Sequence, residues 1–105
     1  MAAMVSVQAT RLGDDWECVV DVAEPRGTTR HTVRVTSRDR ERWARPDETA
    51  EQLVQRAFAF LLAREPPSHI LGRFELSDIE RYFPAFDEEI RRAGPAGLGG
   101  QAPTS

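Results

Sequence analysis

One cysteine is the only possible thiol nucleophile of this sequence, and two histidines are the residues that could serve as its base. Cys18 lies in an alternating segment between Trp16 and Val20, so we expect it on the inward face of a strand, where a cysteine acts as a small hydrophobe. A catalytic thiol needs exposure and an electropositive neighbour, and only His31 and His69 are available as its base. The pattern favours a structural Cys18 and predicts no catalytic residue.

Metal and cofactor chemistry find no support in the spacing of the same residues. The sequence has no CxxC, HxxxH or HExxH pattern, so we predict no metal site and no cofactor. The glycines from Gly94 to Gly100 lack a following helix and a lysine, so they do not form a phosphate-binding loop.

An acidic cluster near the C-terminus is a further candidate for acid–base chemistry. Asp87, Glu88 and Glu89 stand together, with Glu80 nearby in sequence. General acid–base catalysis needs a carboxylate positioned in a pocket, whereas acids at a helix start are stabilised by the helix dipole. We therefore interpret this cluster as a solvated helix end.

The most distinctive candidate binding feature of the sequence is a strip of arginines. All fourteen basic residues are arginine, and residues 26–45 hold seven of them against two acids, whereas the chain from residue 47 onward is acidic. Arginines beside an exposed aromatic residue can bind phosphates and stack a base, but the net charge of −3 and the pI of about 5.4 argue against a nucleic-acid module. A solvated or self-paired strip, with the aromatic residue in the core, is the other interpretation. The candidate partner- or nucleic-acid-binding residues are Arg30, Arg34, Arg38, Arg40, Arg42, Trp43 and Arg45.

The elements that must position these residues begin with strands. Three segments of period two, at residues 5–10, 16–22 and 30–36, are separated by the turn signals Gly13-Asp14-Asp15 and Glu24-Pro25-Arg26-Gly27. Short connections of this kind predict an antiparallel meander of three strands. Its polar face is predicted to place Glu17 and Asp21 near Arg30 and Arg34.

The second half of the sequence predicts helices that cover the apolar face of this sheet. Thr49 and Gln52 fit a capping box that starts a long helix, which Pro66 ends at about Arg64. Phe60 lies off the main apolar stripe of this helix, so it either widens the buried arc or marks a second contact. The main stripe consists of Leu53, Val54, Ala57, Phe58, Leu61 and Leu62.

Shorter helices are predicted on either side of the long one. Ser37 is the predicted cap of a short helix before it, and Ser68 the predicted cap of a helical turn with Ile70, Leu71 and Phe74. The predicted order ends with a capping box from Ser77 to Glu80, then a helix that Pro84 begins and Gly94 caps.

These patterns together predict an α+β fold. Residues 1–93 form a single domain, in which a three-stranded antiparallel meander precedes one long helix and two or three short helices. Residues 94–105 are rich in glycine, alanine and proline and are predicted to be a disordered tail.

The helical half resembles a pattern in small uncharacterised bacterial proteins. The residues that carry the resemblance lie in the segments 60–66, 70–76 and 79–84, which read FLLAREP, ILGRFEL and IERYFP. The resemblance covers residues 30–90 and implies a folded bacterial protein; it implies no site residues.

The function predicted from the sequence is a non-enzymatic protein-interaction or regulatory module that self-associates or binds an unknown protein through its long helix and Phe60 or through an exposed sheet edge. The alternative is a nucleic-acid-binding regulator that uses the strip from Arg30 to Arg45. A small enzyme ranks last.

The sequence also predicts where the protein is located. No apolar run approaches the length of a membrane span, and Met1 to Thr10 lack a signal-peptide pattern. The single cysteine fits a reducing compartment, so we expect a cytoplasmic location without membrane partners.

Overall fold

The computed structural model describes residues 3–92 and has the α+β fold expected from the sequence. Four strands form one sheet in the order β1-β2-β3-β4, and the helices cover its apolar face. The predicted tail at residues 94–105 and the predicted cap Gly94 lie outside the described residues. The strands are β1 (Met4–Leu12), β2 (Asp15–Glu24), β3 (Gly27–Val35) and β4 (Arg73–Glu75), and the helices are α1 (Ser37–Trp43), α2 (Ala50–Leu62), α3 (Asp78–Tyr82) and α4 (Phe86–Arg92).

The first three strands form the predicted antiparallel meander. Two-residue turns join them, with Leu12 opposite Asp15 in the first hairpin and Glu24 opposite Gly27 in the second. Gly13 has a φ of 65° at the first turn, a backbone conformation that glycine adopts without steric cost. Alternate residues of β2 and β3 are fully or almost fully buried, namely Cys18, Val20, Val22, His31, Val33 and Val35, so the alternation predicted the correct inward face of both strands.

The predicted count of three strands is wrong, because β4 joins the sheet beside β3 in parallel. Two backbone hydrogen bonds frame it: the Thr32 N–H donates to the Gly72 carbonyl at 2.8 Å, and the Leu76 N–H donates to the Arg34 carbonyl at 2.9 Å. Phe74, predicted to lie in a helical turn, is the buried residue of this strand. The helical turn is shorter than predicted and spans Pro67–His69. A strand of three residues has no periodicity of its own, and its hydrogen-bond partners are distant in sequence.

The long helix α2 begins as predicted. The Thr49 hydroxyl accepts from the Gln52 N–H at 3.1 Å, and the Gln52 side chain accepts from the Thr49 N–H at 3.0 Å, which completes the capping box. The helix ends at Leu62, two residues before the predicted end. Its apolar stripe packs on the sheet, and the residues of α2 that are buried there are Ala50, Leu53, Val54, Ala57, Phe58, Phe60 and Leu61.

Three details of the shorter helices differ from the predictions. Thr36 caps α1 in a capping box with Asp39, one residue before the predicted cap Ser37. Ser77 makes no side-chain capping bond to α3. Pro84 lies in the turn that precedes α4 instead of beginning that helix.

Within residues 3–92, no helix has both the length and the apolar character needed to cross a membrane.

Candidate functional site

The predicted arginine strip does not form one continuous surface. Arg30 and Arg34 lie on the outer face of the sheet, where each pairs with an acid of the neighbouring strand β2. Arg30 pairs with Asp21, the residue opposite it in the register, whereas Arg34 lies opposite Glu17 but pairs with Asp15. The Arg30 Nε lies 2.7 Å from an Asp21 oxygen and the Arg34 Nη2 lies 3.3 Å from an Asp15 oxygen. The hydrogen bond from Arg30 lowers the pKa of the Asp21 carboxyl. These two arginines therefore have their charge compensated within the sheet.

The centre of the strip is turned toward the helices. Trp43 is only 3 % exposed, and its Nε1–H donates to an Asp87 oxygen at 2.8 Å. Arg42 bonds Glu80 and Asp87, and its guanidinium lies 4.3 Å from the centre of the Trp43 rings. The Trp43 hydrogen bond, together with those of nearby arginines, lowers the pKa of Asp87. Trp43 is thus held in the core and offers no face on which a base could stack.

The remaining arginines of the strip point in different directions. Arg40 donates to the Glu48 carbonyl at 3.0 Å and lies over the ring of Trp16. Arg45 donates to the Arg91 carbonyl at 3.3 Å. Arg38 is exposed and makes no side-chain hydrogen bond or ion pair with another residue in the range 3–92. The strip that is continuous in sequence is therefore divided among the sheet face, the α1–α4 contact and solvent.

The nucleophile candidate is enclosed in the core. Cys18 is fully buried, and burial, reinforced by the charges of Glu51 and Glu17, raises the pKa of its thiol to about 11. A thiol with this pKa is almost entirely protonated at neutral pH and is a poor nucleophile. No group of three His, Cys, Asp or Glu side chains within residues 3–92 has the arrangement of a metal site.

The two histidines have separate structural contacts. His31 is buried on β3, where its Nδ1 lies 2.8 Å from the Leu71 carbonyl oxygen and its Nε2 lies 2.9 Å from the Thr29 hydroxyl. The bond with Leu71 ties the segment before β4 to the sheet, whereas the bond with Thr29 stays within β3. His69 is exposed and lies 3.3 Å from Glu65.

The free edge of β1 is a different kind of candidate site, because its unpaired main-chain groups are available to another β-strand. This strand is nine residues long and pairs only with β2 among the described strands. From Met4 to Thr10 it contains no charge, no proline and no glycine. Exposed edge strands are ordinarily protected by charges, prolines, bulges or short length, because an unpaired edge is a template for another strand. β4, at the opposite edge, is protected in this way, with three residues and the charges of Arg73 and Glu75.

The backbone groups that β1 presents at this edge can be assigned from its register. The pair of Leu12 and Asp15 closes a two-residue hairpin, which makes it a hydrogen-bonded pair. Because such pairs alternate along an antiparallel ladder, the N–H and C=O groups of Val5, Val7 and Ala9 point away from β2. The Gln55 side chain agrees with this assignment, since its Nε2 donates to the Val5 carbonyl oxygen at 2.9 Å.

A groove of about 730 Å³ runs beside this edge, between the start of β1 and the second half of α2. Val5 and Ala3 form the strand side of the groove, and Gln55, Ala59 and Leu62 form the helix side. The inward side chains of β1 remain half-buried, whereas Cys18, Val20 and Val22, which follow in the next strand, are completely buried. The apolar layer between sheet and helix is therefore incompletely covered at this edge.

A second, smaller groove of about 260 Å³ lies where α2, β4 and α3 meet. Its walls include the apolar residues Leu61 and Ile79, and the exposed Leu71 and Tyr82 stand at its rim.

Sequence reasoning anticipated an exposed sheet edge without identifying which one. The usable signal was the run of seven residues from Met4 to Thr10 without charge, proline or glycine in the first predicted strand.

The other predicted contact surface, Phe60, is 8 % exposed and packs against Phe83 and Phe86, so it joins α2 to the last helices.

Comparisons with protein-family models, curated proteins and solved structures find no match for this chain.

Proposed function

We propose that this protein is a non-enzymatic protein-interaction module that binds an extended polypeptide segment along the free edge of β1. The observation that carries the proposal is the unprotected nine-residue edge with a groove beside it. In strand addition, main-chain hydrogen bonds supply affinity and a neighbouring groove selects alternate side chains. The outward N–H and C=O groups of Val5, Val7 and Ala9 supply the first requirement, and the groove against α2 supplies the second.

The thiol chemistry that the sequence offered as an alternative receives no support from the surroundings of Cys18 and the two histidines. The Cys18 thiol is buried and has its pKa raised, and the histidines that were its candidate bases are engaged with Thr29, Leu71 and Glu65. A buried cysteine also agrees with the proposed cytoplasmic, reducing location.

The alternative, a nucleic-acid-binding regulator, receives less support from the geometry. A base-stacking aromatic residue and a continuous basic groove are the usual requirements for binding single strands. Trp43 is buried, and Arg30, Arg34 and Arg42 are paired with carboxylates.

The test is selection of peptides from a random twelve-residue phage-displayed library on the immobilised protein. Selected peptides are expected to bind the wild-type protein and to lose at least tenfold in affinity for the Ala9→Pro variant. Proline at this position removes one outward N–H and leaves the ladder with β2 intact. An unchanged circular dichroism spectrum and melting temperature provide the control for folding. Peptides that bind both proteins equally well would contradict strand addition at β1.

A further inference from the structure

We infer that the strand bound at this edge is β1 of a second copy of the same chain. The two strands pair antiparallel about a two-fold axis at Val7, which joins two four-stranded sheets into one of eight strands. This inference rests on the proposed function, because it names the partner that occupies the same edge.

The backbone supports this pairing. In an antiparallel pair centred on Val7, Val7 faces its own copy and Val5 faces Ala9 of the second copy. All of these residues carry their N–H and C=O groups on the free side of β1. Residues that face each other are therefore able to exchange both main-chain hydrogen bonds, as an antiparallel ladder requires. The Val5 carbonyl oxygen has two lone pairs, so Gln55 does not prevent the new bond.

The side chains of the strand form a pattern that complements itself about Val7. On the inward face, apolar residues meet apolar residues, as Val5 meets Ala9. On the outward face, Ser6 meets Gln8, and both of these residues are exposed in the monomer. The order of residue types is thus nearly the same in either direction along the strand, which is the property that a two-fold interface needs.

Charge also permits this partner. The chain has a net charge of −3, so two copies repel each other weakly over most of their surface. The segment from Met4 to Thr10 is uncharged, and the first charge beyond it, Arg11, is opposite Ala3 in the proposed register. No like charges therefore meet directly across the pair.

Besides the paired β1 strands, the proposed interface includes the two α2 helices. A two-fold axis perpendicular to a continuous sheet places both α2 helices on the same face. The sides of α2 that border the groove, with Gln55, Ala59 and Leu62, are then brought toward each other. In the dimer the half-buried Val5 and Val7 have a neighbouring strand on both sides, as the fully buried residues of β2 have in the monomer. Since β4 is short and charged, the joined sheet ends there and the assembly stops at two copies.

The first test is sedimentation equilibrium of the full chain from 1 to 200 µM. The wild-type protein is expected to reach the mass of a dimer, twice the 11.8 kDa of the chain. The double variant Ser6→Lys/Gln8→Lys is expected to dimerise at least tenfold more weakly, because it places lysines opposite each other across the axis. The double variant Thr28→Lys/Ser68→Lys adds the same charge at exposed positions away from β1 and is expected to dimerise as the wild type does.

The second test determines which residues of the two β1 strands face each other. In Val7→Cys, the two new thiols face each other at a separation that a disulfide can span, so oxidised glutathione is expected to convert the protein to a covalent dimer. In Gln8→Cys the thiols are displaced along the strands, and cross-linking is expected to be at least tenfold slower. Cys18 does not interfere, because it is fully buried.

Two results would overturn the inference. One is a wild-type protein that stays monomeric at 200 µM, and the other is a dimer that the lysines at positions 6 and 8 leave unchanged. A monomer that nevertheless binds library peptides in an Ala9-dependent manner would overturn the inference while leaving the proposed function intact. Equal cross-linking of the two cysteine variants in a dimer would overturn the register at Val7.

Discussion

Arg56 and Glu48 form a buried ion pair that holds the start of α2 to its surroundings. The Arg56 Nε and Nη2 each lie 2.7 Å from a Glu48 carboxylate oxygen, and both side chains are less than 10 % exposed. Arg56 also donates to the main-chain carbonyls of Trp43, at the end of α1, and Ile90, in α4. One guanidinium therefore connects three helices and the loop before α2.

Loss of the Glu48 charge is expected to destabilise the fold. Glu48→Gln leaves the buried Arg56 charge without its carboxylate, and removing one partner of a buried pair costs about 3 kcal/mol in the free energy of unfolding. Urea unfolding followed by circular dichroism measures this change. The matched control is Glu88→Gln, which breaks an exposed pair with Arg92 and is expected to cost less than about 0.5 kcal/mol. Equal losses in the two variants would show that burial does not determine the strength of the Glu48 pair.

The same pair predicts how stability depends on pH. Burial raises the pKa of the Glu48 carboxyl, but hydrogen bonds from Arg56 and from the Arg45 N–H outweigh it, so the pKa is lower in the folded state. The resulting stabilisation is present above the unfolded pKa, about 4.3, and is lost as the pH falls through the folded value. Asp87 contributes in the same direction, whereas burial raises the pKa of the Asp39 carboxyl, which contributes in the opposite direction and offsets part of the effect.

We therefore expect the free energy of unfolding to fall between pH 5 and pH 3. Urea titrations at several pH values measure this slope, which Glu48→Gln is expected to reduce. An identical slope in the variant would assign the acid sensitivity to other carboxylates.

The Cys18 thiol is expected to resist modification in the native protein. With its pKa raised to about 11, the thiolate fraction at pH 8 is lower by about a hundredfold or more than in an unfolded chain, and burial restricts access further. Ellman's reagent at pH 8 is expected to label the protein at least a hundredfold more slowly in buffer than in 6 M guanidinium chloride. Rapid labelling of the native protein would contradict the structural role assigned to this residue.

A charge in the seam between α2 and the sheet is expected to abolish folding. Leu61 is 4 % exposed, so Leu61→Asp buries a carboxylate among apolar side chains at a cost of several kcal/mol. Gln52→Asp adds the same charge on the exposed side of α2 and is expected to remain folded. Thermal melts followed by circular dichroism distinguish the two, and a cooperative melt of Leu61→Asp near the wild-type temperature would show that Leu61 does not face the core.

The arginine strip is expected to show no salt-sensitive binding to nucleic acid. Fluorescence anisotropy with labelled single-stranded and duplex DNA, each at 50 mM and 200 mM salt, is the measurement. A protein that neutralises several phosphates loses affinity steeply between these salt concentrations. A steep loss of this kind, abolished by Arg38→Ala/Arg40→Ala, would support the nucleic-acid alternative.

Local patterns in the sequence were sufficient to predict the hairpins and the start of α2. Alternation and turn residues lie next to each other along the chain, and Thr49 and Gln52 are three residues apart, so the interactions that form these elements are local. The single-position error at the cap of α1 has a local cause as well, since both Thr36 and Ser37 are residue types that cap helices.

The features that were missed depend on long-range contacts. β4 exists because Thr32 and Arg34 offer main-chain partners to a three-residue segment. The buried Trp43 bonds Asp87, which is 44 residues away, and this contact is one of several between distant residues that divide the arginine strip. The sequence predicted that some sheet edge is exposed, but not that β1 forms it, because the position of β1 at the end of the sheet depends on the complete strand order.

The distance along the chain between β3 and β4 also has a consequence for the order in which the molecule assembles. The hairpins of the meander need only short loops to close, whereas the contact of His31 with Leu71 joins positions 40 residues apart. Closing a longer loop costs more chain entropy, and contacts of high sequence separation slow folding. β4 is therefore the strand expected to dock last and to detach first. We expect both hairpins of the meander to form early, and the docking of β4 on β3 to be the late and most readily reversed step.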